Sequence, residues 1–285
     1  MANVKVTCDS TCDLTKELYS RYQIDVLPLG ISMGDDFRYD SVNVTAQELY
    51  DYAKKTGELP KTSAISVGEY QEHFQSLVDQ GRQVIHISLS SEISSCYQNA
   101  CIAAEAVGNV WVIDSRNLST GSGHLALLAV ELAAADYTAP EIAKALNEMK
   151  KQVDVSFVLQ TLDYLHKGGR CSGIAAFGAN VLKIRPEIFV KNGNMHVGKK
   201  YRGDLEKSIL SYVRGRLEGR KDILHDRIFV THSGVPKEIV EKVMALVREL
   251  QPFEQVIETV AGSTISSHCG PACLGLAFLR TADPS

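Results

Sequence analysis

Short apolar runs rich in β-branched residues alternate with helical segments through the first half of this chain. This alternation constrains the fold more than any other feature of the sequence. The predicted strands are VKVTCDS near the N-terminus, DVLPLGISM at 25–33, RQVIHISLS near residue 85 and VWVIDS near residue 112. Strands separated by helices of about ten residues or more form βαβ units with parallel pairing. The first half is therefore predicted to contain a parallel sheet covered by helices.

Capping patterns mark where several of these helices begin. TAQE at 45–48, SVGE at 66–69 and TAPE at 138–141 are capping-box patterns, in which the first hydroxyl and the last carboxylate satisfy free backbone N–H groups. LALLAVELAAA at 125–135 is apolar on almost every face, which predicts a helix buried between layers. Because Glu131 interrupts it and it is short, this helix is not expected to span a bilayer.

After residue 152 the pattern changes. PEIFVKNGNMHVGKKYR predicts a hairpin that turns at Asn192 and Gly193. Further strands are predicted in VSFVLQTL, RIFVTHSG, QVIETVAG and LGLAFLR, with helices among them. A chain of 285 residues is long enough for two domains. We therefore predict an α/β protein with a parallel-sheet domain over 1–152 and a mixed-sheet α+β domain over 153–285, with the binding site between them.

Composition excludes some classes of protein. The net charge of −4 argues against non-specific nucleic-acid binding as the main role, which usually requires a basic face. The first ten residues contain no apolar signal-peptide core, so we expect a cytoplasmic location. Seven cysteines without an export signal suggest reduced thiols. Cys269 and Cys273 beside His268 make a zinc site conceivable, but the two-residue spacing of zinc knuckles is absent, and no metal is expected.

Five polar clusters rich in serine and threonine follow predicted strands. Ligands in open α/β sheets bind beyond the carboxyl ends of the strands, where such clusters can meet. Each cluster alone is better explained as a helix N-cap than as a site, but five together favour at least one shared site. The clusters are DSTCD at 9–13, KTSAIS at 61–66, SSEISS at 90–95, DSRNLSTGSG at 114–123 and STISSHCG at 263–270.

Three kinds of site could use these hydroxyls. A hydrolase elbow would read GxSxG, which TGSGH at 120–124 does not match, and His268 has no evident carboxylate partner. A nucleotide loop would read GxxxxGK[ST] or GxGxxG. Neither is present, although LHKGGRCSG at 165–173 is basic and could hold an anion.

The third kind of site is a hydroxyl clamp. Hydroxyls donate and accept hydrogen bonds, and a helix N-terminus behind them adds N–H donors. If apolar helices line the rest of the pocket, such a clamp would suit an amphiphile with a polar head and a hydrocarbon tail. The helix at 125–135 is a plausible wall for that tail.

The motifs, taken in order, resemble those of the DegV family. The resemblance covers essentially the whole chain. It rests on DSTCDL at 9–14, TS in KTSAIS, SSEISSCY at 90–97, KGGR followed by NVLKIRP within 167–186, and SSHCGPACLG at 266–275.

This resemblance implies a two-domain DegV-like fold that binds one long-chain fatty acid. In bacteria with a fatty acid kinase, proteins of this kind, called FakB, present the acyl carboxyl to the kinase. The kinase uses ATP to form an acyl phosphate for phospholipid synthesis. The chain is then expected to be a carrier and not the catalyst, without a cofactor of its own. We expect a monomer with at most transient membrane contact.

The resemblance also assigns residues. Thr62 and Ser94 match positions that hydrogen-bond the carboxyl, and His268 matches the histidine near the head group. Arg170 and Arg202 match basic positions associated with phosphotransfer or kinase docking. Ser95 stands where the family usually has glycine, and it either adds a third hydroxyl to the clamp or crowds it.

Two other functions stay open: a lipid-responsive interaction protein without a kinase, and a serine hydrolase using Ser94 or Ser95 with His268.

Overall fold

The computed structural model describes residues 3–171 and 184–281 of the 285-residue chain. Its strands are β1 (Val4–Asp9), β2 (Asp25–Leu27), β3 (Gly30–Met33), β4 (Asp36–Tyr39), β5 (Lys61–Ser63), β6 (Gln83–Ser88), β7 (Val110–Asp114), β8 (Val153–Val158), β9 (Ile184–Lys191), β10 (Asn194–Arg202), β11 (Ile223–Ser233), β12 (Gln255–Val260) and β13 (Cys273–Arg280). Its α-helices are α1 (Lys16–Arg21), α2 (Ala46–Thr56), α3 (Val67–Val78), α4 (Cys96–Val107), α5 (Thr120–Ala134), α6 (Ala139–Met149), α7 (Asp163–Gly168), α8 (Leu205–Leu217), α9 (Lys237–Leu250) and α10 (Ser263–Cys269).

The first half contains the predicted parallel sheet. Its four strands lie in the order β2-β1-β6-β7, and every pair is parallel. The capping boxes at Thr45, Ser66 and Thr138 are all formed, and they begin α2, α3 and α6. The side chains of the central strands β1 and β6 are mostly buried, as expected for a parallel sheet covered on both faces.

The second half contains the predicted mixed sheet. Its six strands lie in the order β10-β9-β8-β13-β11-β12, and only β11 and β12 pair in parallel. The hairpin between β9 and β10 turns at Asn192 and Gly193, whose φ angles are 52° and 83°. Two successive positive φ angles suit the right-handed twist of a two-residue hairpin, which is why asparagine and glycine stand there.

A third sheet was not predicted. We expected DVLPLGISM to form one strand, and this was wrong: the stretch divides at Pro28 into β2 and β3. Proline supplies no backbone N–H to a ladder, so the chain leaves the parallel sheet there. β3 then pairs antiparallel with β4 and β5. The TS of KTSAIS therefore lies within an edge strand and not in a loop after one.

Helix α5 is buried between the parallel and mixed sheets, as its apolar sequence predicted. Leu125, Ala126 and Leu127 are essentially inaccessible and belong to one core cluster with Val155 and Phe229 of the mixed sheet. None of the helices in the described ranges combines the length and the hydropathy that a bilayer crossing requires.

Candidate functional site

A cavity of about 840 Å³ lies where β5, α4, α7 and α10 meet. Its size is within the range of about 300–1,000 Å³ that is typical of small-molecule sites. Both halves of the chain contribute to its walls. The lining side chains are mainly hydroxyl-bearing or aliphatic, and they belong to Leu29, Thr62, Ser63, Ala64, Leu89, Ser91, Glu92, Ile93, Ser94, Ser95, Tyr97, Gln98, Cys101, Leu118, Leu165, Arg170, Met195, Thr264, Ile265, His268 and Cys269.

Thr62 and His268 form a polar pair in this cavity. The Thr62 hydroxyl lies 2.9 Å from His268 Nε2, although 206 positions separate the two residues in sequence. Burial, assisted by the positive charge of Arg170, lowers the pKa of His268 to about 4. The imidazole is therefore neutral near pH 7. It can donate or accept a hydrogen bond but does not carry a compensating charge.

The KGGR segment packs closely against this histidine. A Cβ atom on Gly168 would lie only 2.6 Å from His268 Nδ1, so any side chain there would displace the imidazole. The Arg170 guanidinium donates to the Gly168 carbonyl oxygen at 2.6 Å and lines the cavity. The glycine therefore serves close packing, and the arginine stands beside the polar pair.

The N-terminus of α4 contributes the serines nearest to the cavity. The Ser94 hydroxyl accepts a hydrogen bond from the Cys96 backbone N–H at 3.2 Å, and it also lines the cavity. Ser95 is exposed and makes no side-chain capping bond, although it too lines the cavity. Ser94 thus accepts a hydrogen bond from a free N–H group at the start of α4 and still lies within reach of a ligand in the cavity.

The neighbouring serines Ser88, Ser90 and Ser91 are engaged with other groups of the protein, although Ser91 also lines the cavity. Ser88 Oγ donates to buried Asp9 at 2.8 Å. Ser90 Oγ donates to the Gly193 carbonyl oxygen at 2.8 Å, which joins this loop to the β9–β10 hairpin. Ser91 Oγ donates to Asp114 at 2.6 Å.

Helix α10, which carries His268, is anchored by two buried aspartates. Asp13 accepts a hydrogen bond from the Gly262 N–H at 2.8 Å, and Asp40 accepts one from the Ser263 N–H at 2.7 Å. Burial raises the pKa of Asp13 to about 8, and the nearby charge of Asp40 adds to this effect. The two aspartate side chains accept hydrogen bonds from N–H donors that the helix N-terminus leaves free.

This anchoring role was not predicted from the sequence. DSTCD was read as a hydroxyl cluster or a cap at its own position. One of its two aspartates, Asp13, instead caps a helix far along the chain, since Asp13 and Gly262 are separated by 249 positions. The available signal was Asp13 itself, an acidic residue between the apolar Cys12 and Leu14, because a buried carboxyl group requires hydrogen-bond partners.

The structure brings most of the predicted site residues together. Thr62, Ser94, Ser95, Arg170 and His268 all line the same cavity. Arg202 does not line it; this residue is the last of β10 and is exposed.

The expected role of the helix at 125–135 as a wall of the site was wrong. Its apolar side chains fill the core between the sheets, and none of them lines the cavity. The aliphatic lining comes instead from loops and from other elements, through Leu29, Ala64, Leu89, Ile93, Leu118, Leu165, Met195 and Ile265.

Each of the seven cysteines is a thiol and not half of a disulfide. Burial and the neighbouring Cys8 raise the pKa of Cys12, and a hydrogen bond with Cys269 together with burial raises the pKa of Cys273. Thiols with raised pKa values are weak nucleophiles. Within 3–171 and 184–281, no cluster of three or more histidine, cysteine or acidic side chains is arranged to hold a metal ion.

A family model and a curated relative both relate this chain to the DegV family. A family model described as uncharacterised protein, DegV family, matches residues 3–281. A DegV domain-containing protein of Clostridium perfringens is 33% identical over 205 residues, which are 71% of this chain and 74% of that protein.

Solved structures agree in fold over almost the whole chain. One solved structure is described as showing fatty acid binding of a DegV family protein from Thermus thermophilus. Its sequence is 28% identical to this chain, and the two superpose with a TM-score of 0.86 over 97% of this chain and 99% of that protein. Another, described as DegV, a fatty acid binding protein from Bacillus subtilis, is also 28% identical, with a TM-score of 0.82 and coverage of 98% and 100%.

Proposed function

Since this chain belongs to the DegV family, we propose that it binds one long-chain fatty acid in the cavity of about 840 Å³. Related DegV proteins of the same fold bind fatty acids. The observation that carries the proposal is the lining itself, in which hydroxyls and a neutral imidazole share one cavity with aliphatic side chains. That combination suits a carboxyl head and a hydrocarbon tail.

The polar pair explains how a carboxyl could be held. Thr62 and His268 each offer a hydrogen bond, and Ser94 adds a hydroxyl at the start of α4. The free N–H groups of that helix end also favour a negative charge. Each methylene of the tail that is buried among the aliphatic residues contributes about 0.8 kcal/mol. The tail thus supplies most of the affinity, and the head group sets the orientation.

We also propose that the protein presents its ligand to a separate fatty acid kinase, so that it is a carrier and not the catalyst. A second cleft, of about 540 Å³, borders Thr62 and His268 on another side. Lys61, Lys167 and Arg170 line it, and positive side chains of this kind favour an incoming phosphoryl group. Exposed Arg202 is the proposed docking residue.

Acyl-phosphate formation tests this second step. Protein loaded with oleate is mixed with a purified fatty acid kinase and ATP, and acyl phosphate is trapped with hydroxylamine. We expect product from the loaded protein and none from the delipidated control. If a kinase that is active with its own carrier yields no product here, the protein instead binds lipid as an interaction protein without a kinase.

The serine hydrolase alternative has less geometric support. His268 Nε2 is engaged by Thr62, and the Ser94 hydroxyl is directed to Cys96 at 3.2 Å. Nucleophilic catalysis requires the serine and its base within hydrogen-bond reach. A fluorophosphonate probe is therefore expected to leave both Ser94 and Ser95 unlabelled.

The two neighbouring serines are expected to differ in their effect on binding. Ser94→Ala removes a hydroxyl that lines the cavity and caps α4, and we expect fatty acid affinity to fall about fivefold, the effect of one hydrogen bond of about 1 kcal/mol. Ser95→Gly restores the residue that the family usually has and should change the affinity by less than about twofold. Competition with a fluorescent fatty acid measures both values. If Ser95→Gly lowers the fatty acid affinity more than Ser94→Ala does, Ser95 and not Ser94 is the serine that contacts the ligand.

A further inference from the structure

A basic cleft of about 330 Å³ lies apart from the lipid cavity, where the loop after β7 meets the ends of β8, β9 and β13. Its charged lining residues are all cations: Arg116, Lys150, Lys151, Lys191 and Arg280. No acidic side chain lines it within the described part of the chain. These residues come from distant parts of the sequence, so the fold itself gathers the charge.

Positive charge in this basic cleft exceeds the negative charge at its rim. Three of the five cations are close to four carboxylates. Arg116 lies 2.8 Å from Glu92 and 3.6 Å from Asp114, Lys151 lies 3.1 Å from Glu148, and Arg280 lies 3.6 Å from Asp154. Lys150 donates only to the Asn147 amide oxygen, at 2.8 Å. No carboxylate within 3–171 and 184–281 forms an ion pair with Lys150 or Lys191. Burial, together with the positive charges of Arg116 and Lys151, lowers the pKa of Lys150 although Asp114 opposes this.

Arg116 is held in place before any ligand arrives. Its φ angle is 52°, a left-handed conformation that is uncommon for arginine. Its backbone N–H donates to Asp114 at 3.0 Å, and its guanidinium donates to the Asn192 carbonyl oxygen at 2.6 Å. Residues kept in such conformations by their surroundings cluster at functional sites. The arginine therefore presents a fixed charge at the wall of the basic cleft.

We propose that the basic cleft binds a phosphate-bearing anion with at least two negative charges, of the diphosphate or phosphomonoester type. Arginine and lysine are the side chains that bind phosphate oxygens, arginine by its planar fork and lysine as a point charge. A concave site walled by one sign of charge concentrates anions of the opposite sign. The volume accommodates a small molecule and not a folded partner. This proposal does not depend on the lipid-binding function.

Diphosphate binding to the full-length protein tests the proposal by isothermal titration calorimetry at low ionic strength. The double variant Lys150→Ala/Lys191→Ala removes the two cations without carboxylate partners. We expect its Kd for diphosphate to rise at least about tenfold relative to the unmodified chain, and we expect added salt to weaken binding to the unmodified chain. The control Lys221→Ala/Lys237→Ala removes the same charge from exposed positions outside the cleft and should change Kd by less than about twofold.

A second arm distinguishes a free phosphate compound from a lipid headgroup. Vesicles of phosphatidylcholine with and without phosphatidic acid are sedimented with each variant. If diphosphate binds, the cleft variant loses it, and phosphatidic acid vesicles do not bind, the anion is a soluble compound. If only phosphatidic acid vesicles bind, and the cleft variant loses them, the phosphate belongs to a headgroup. If neither probe binds, or if both double variants lose binding equally, the proposal is overturned.

Discussion

Replacing Asp9 by alanine is expected to lower the free energy of unfolding by about 3–5 kcal/mol, because several buried donors would lose their acceptor at once. Asp9 is fully buried at the end of β1. One carboxylate oxygen accepts from Tyr70 at 2.5 Å and lies 3.2 Å from His86 Nε2. The other accepts from the Ser88 hydroxyl and the Leu89 N–H, each at 2.8 Å. Burial alone would raise the pKa of Asp9, but these contacts outweigh it and hold the pKa below its usual value.

Urea unfolding followed by the fluorescence of Trp111, the only tryptophan in the chain, measures this loss. The control variant Tyr70→Phe removes one donor and leaves Asp9 with its other partners, so it should cost about 1 kcal/mol. If Asp9→Ala costs no more than Tyr70→Phe, the carboxylate does not anchor this strand end. If Asp9→Ala fails to fold, the stability of Asp9→Asn is compared with that of Tyr70→Phe instead. Asparagine keeps the shape of the side chain, but its NH₂ group faces donors and cannot accept their hydrogen bonds.

Replacing Thr62 by alanine is expected to weaken fatty acid binding about 10- to 100-fold. A hydrogen bond to a charged carboxylate contributes about 1.5–3 kcal/mol, and each tenfold change in Kd corresponds to about 1.4 kcal/mol. The substitution also leaves His268 Nε2 without its partner at 2.9 Å. The measurement is the Kd of oleate for delipidated protein.

Thr62→Ser is the matched control because it keeps the hydroxyl and removes only a methyl group. We expect its Kd to stay within about threefold of that of the unmodified chain. If both the alanine and the serine variants bind oleate as tightly as the unmodified chain, Thr62 is not part of the proposed clamp. A loss in both would instead indicate that the methyl group, and hence packing at β5, holds the site.

The layers of the fold could be predicted from local sequence patterns. The capping boxes at Thr45, Ser66 and Thr138 and the hairpin turn at Asn192 depend on a few adjacent residues, so their signals are local. The three-stranded sheet could not be predicted in this way. Its strands β3, β4 and β5 are short, and β3 follows β2 so closely that periodicity alone merged them.

Five residues named from the sequence line the candidate cavity, but the contacts that build the cavity were not predicted. The family resemblance indicated Thr62 and His268, and the structure places them 2.9 Å apart. No sequence pattern indicated that Asp13 and Asp40 hold the N-terminus of α10, or that Gly168 must be small beside His268. These contacts join residues far apart in the chain. They depend on how the helices and strands pack against one another, which cannot be predicted from short stretches of sequence.

The identity of the molecule that occupies the cavity tests the central proposal most directly. The protein is purified without detergent from cells grown in lipid-containing medium, and its mass is measured under native and denaturing conditions, with extraction and identification of any released lipid. We predict one bound fatty acid per chain, of about 14 to 18 carbons, since affinity grows with each buried methylene. Protein that carries no lipid, and that binds neither oleate nor palmitate after delipidation, would contradict the account.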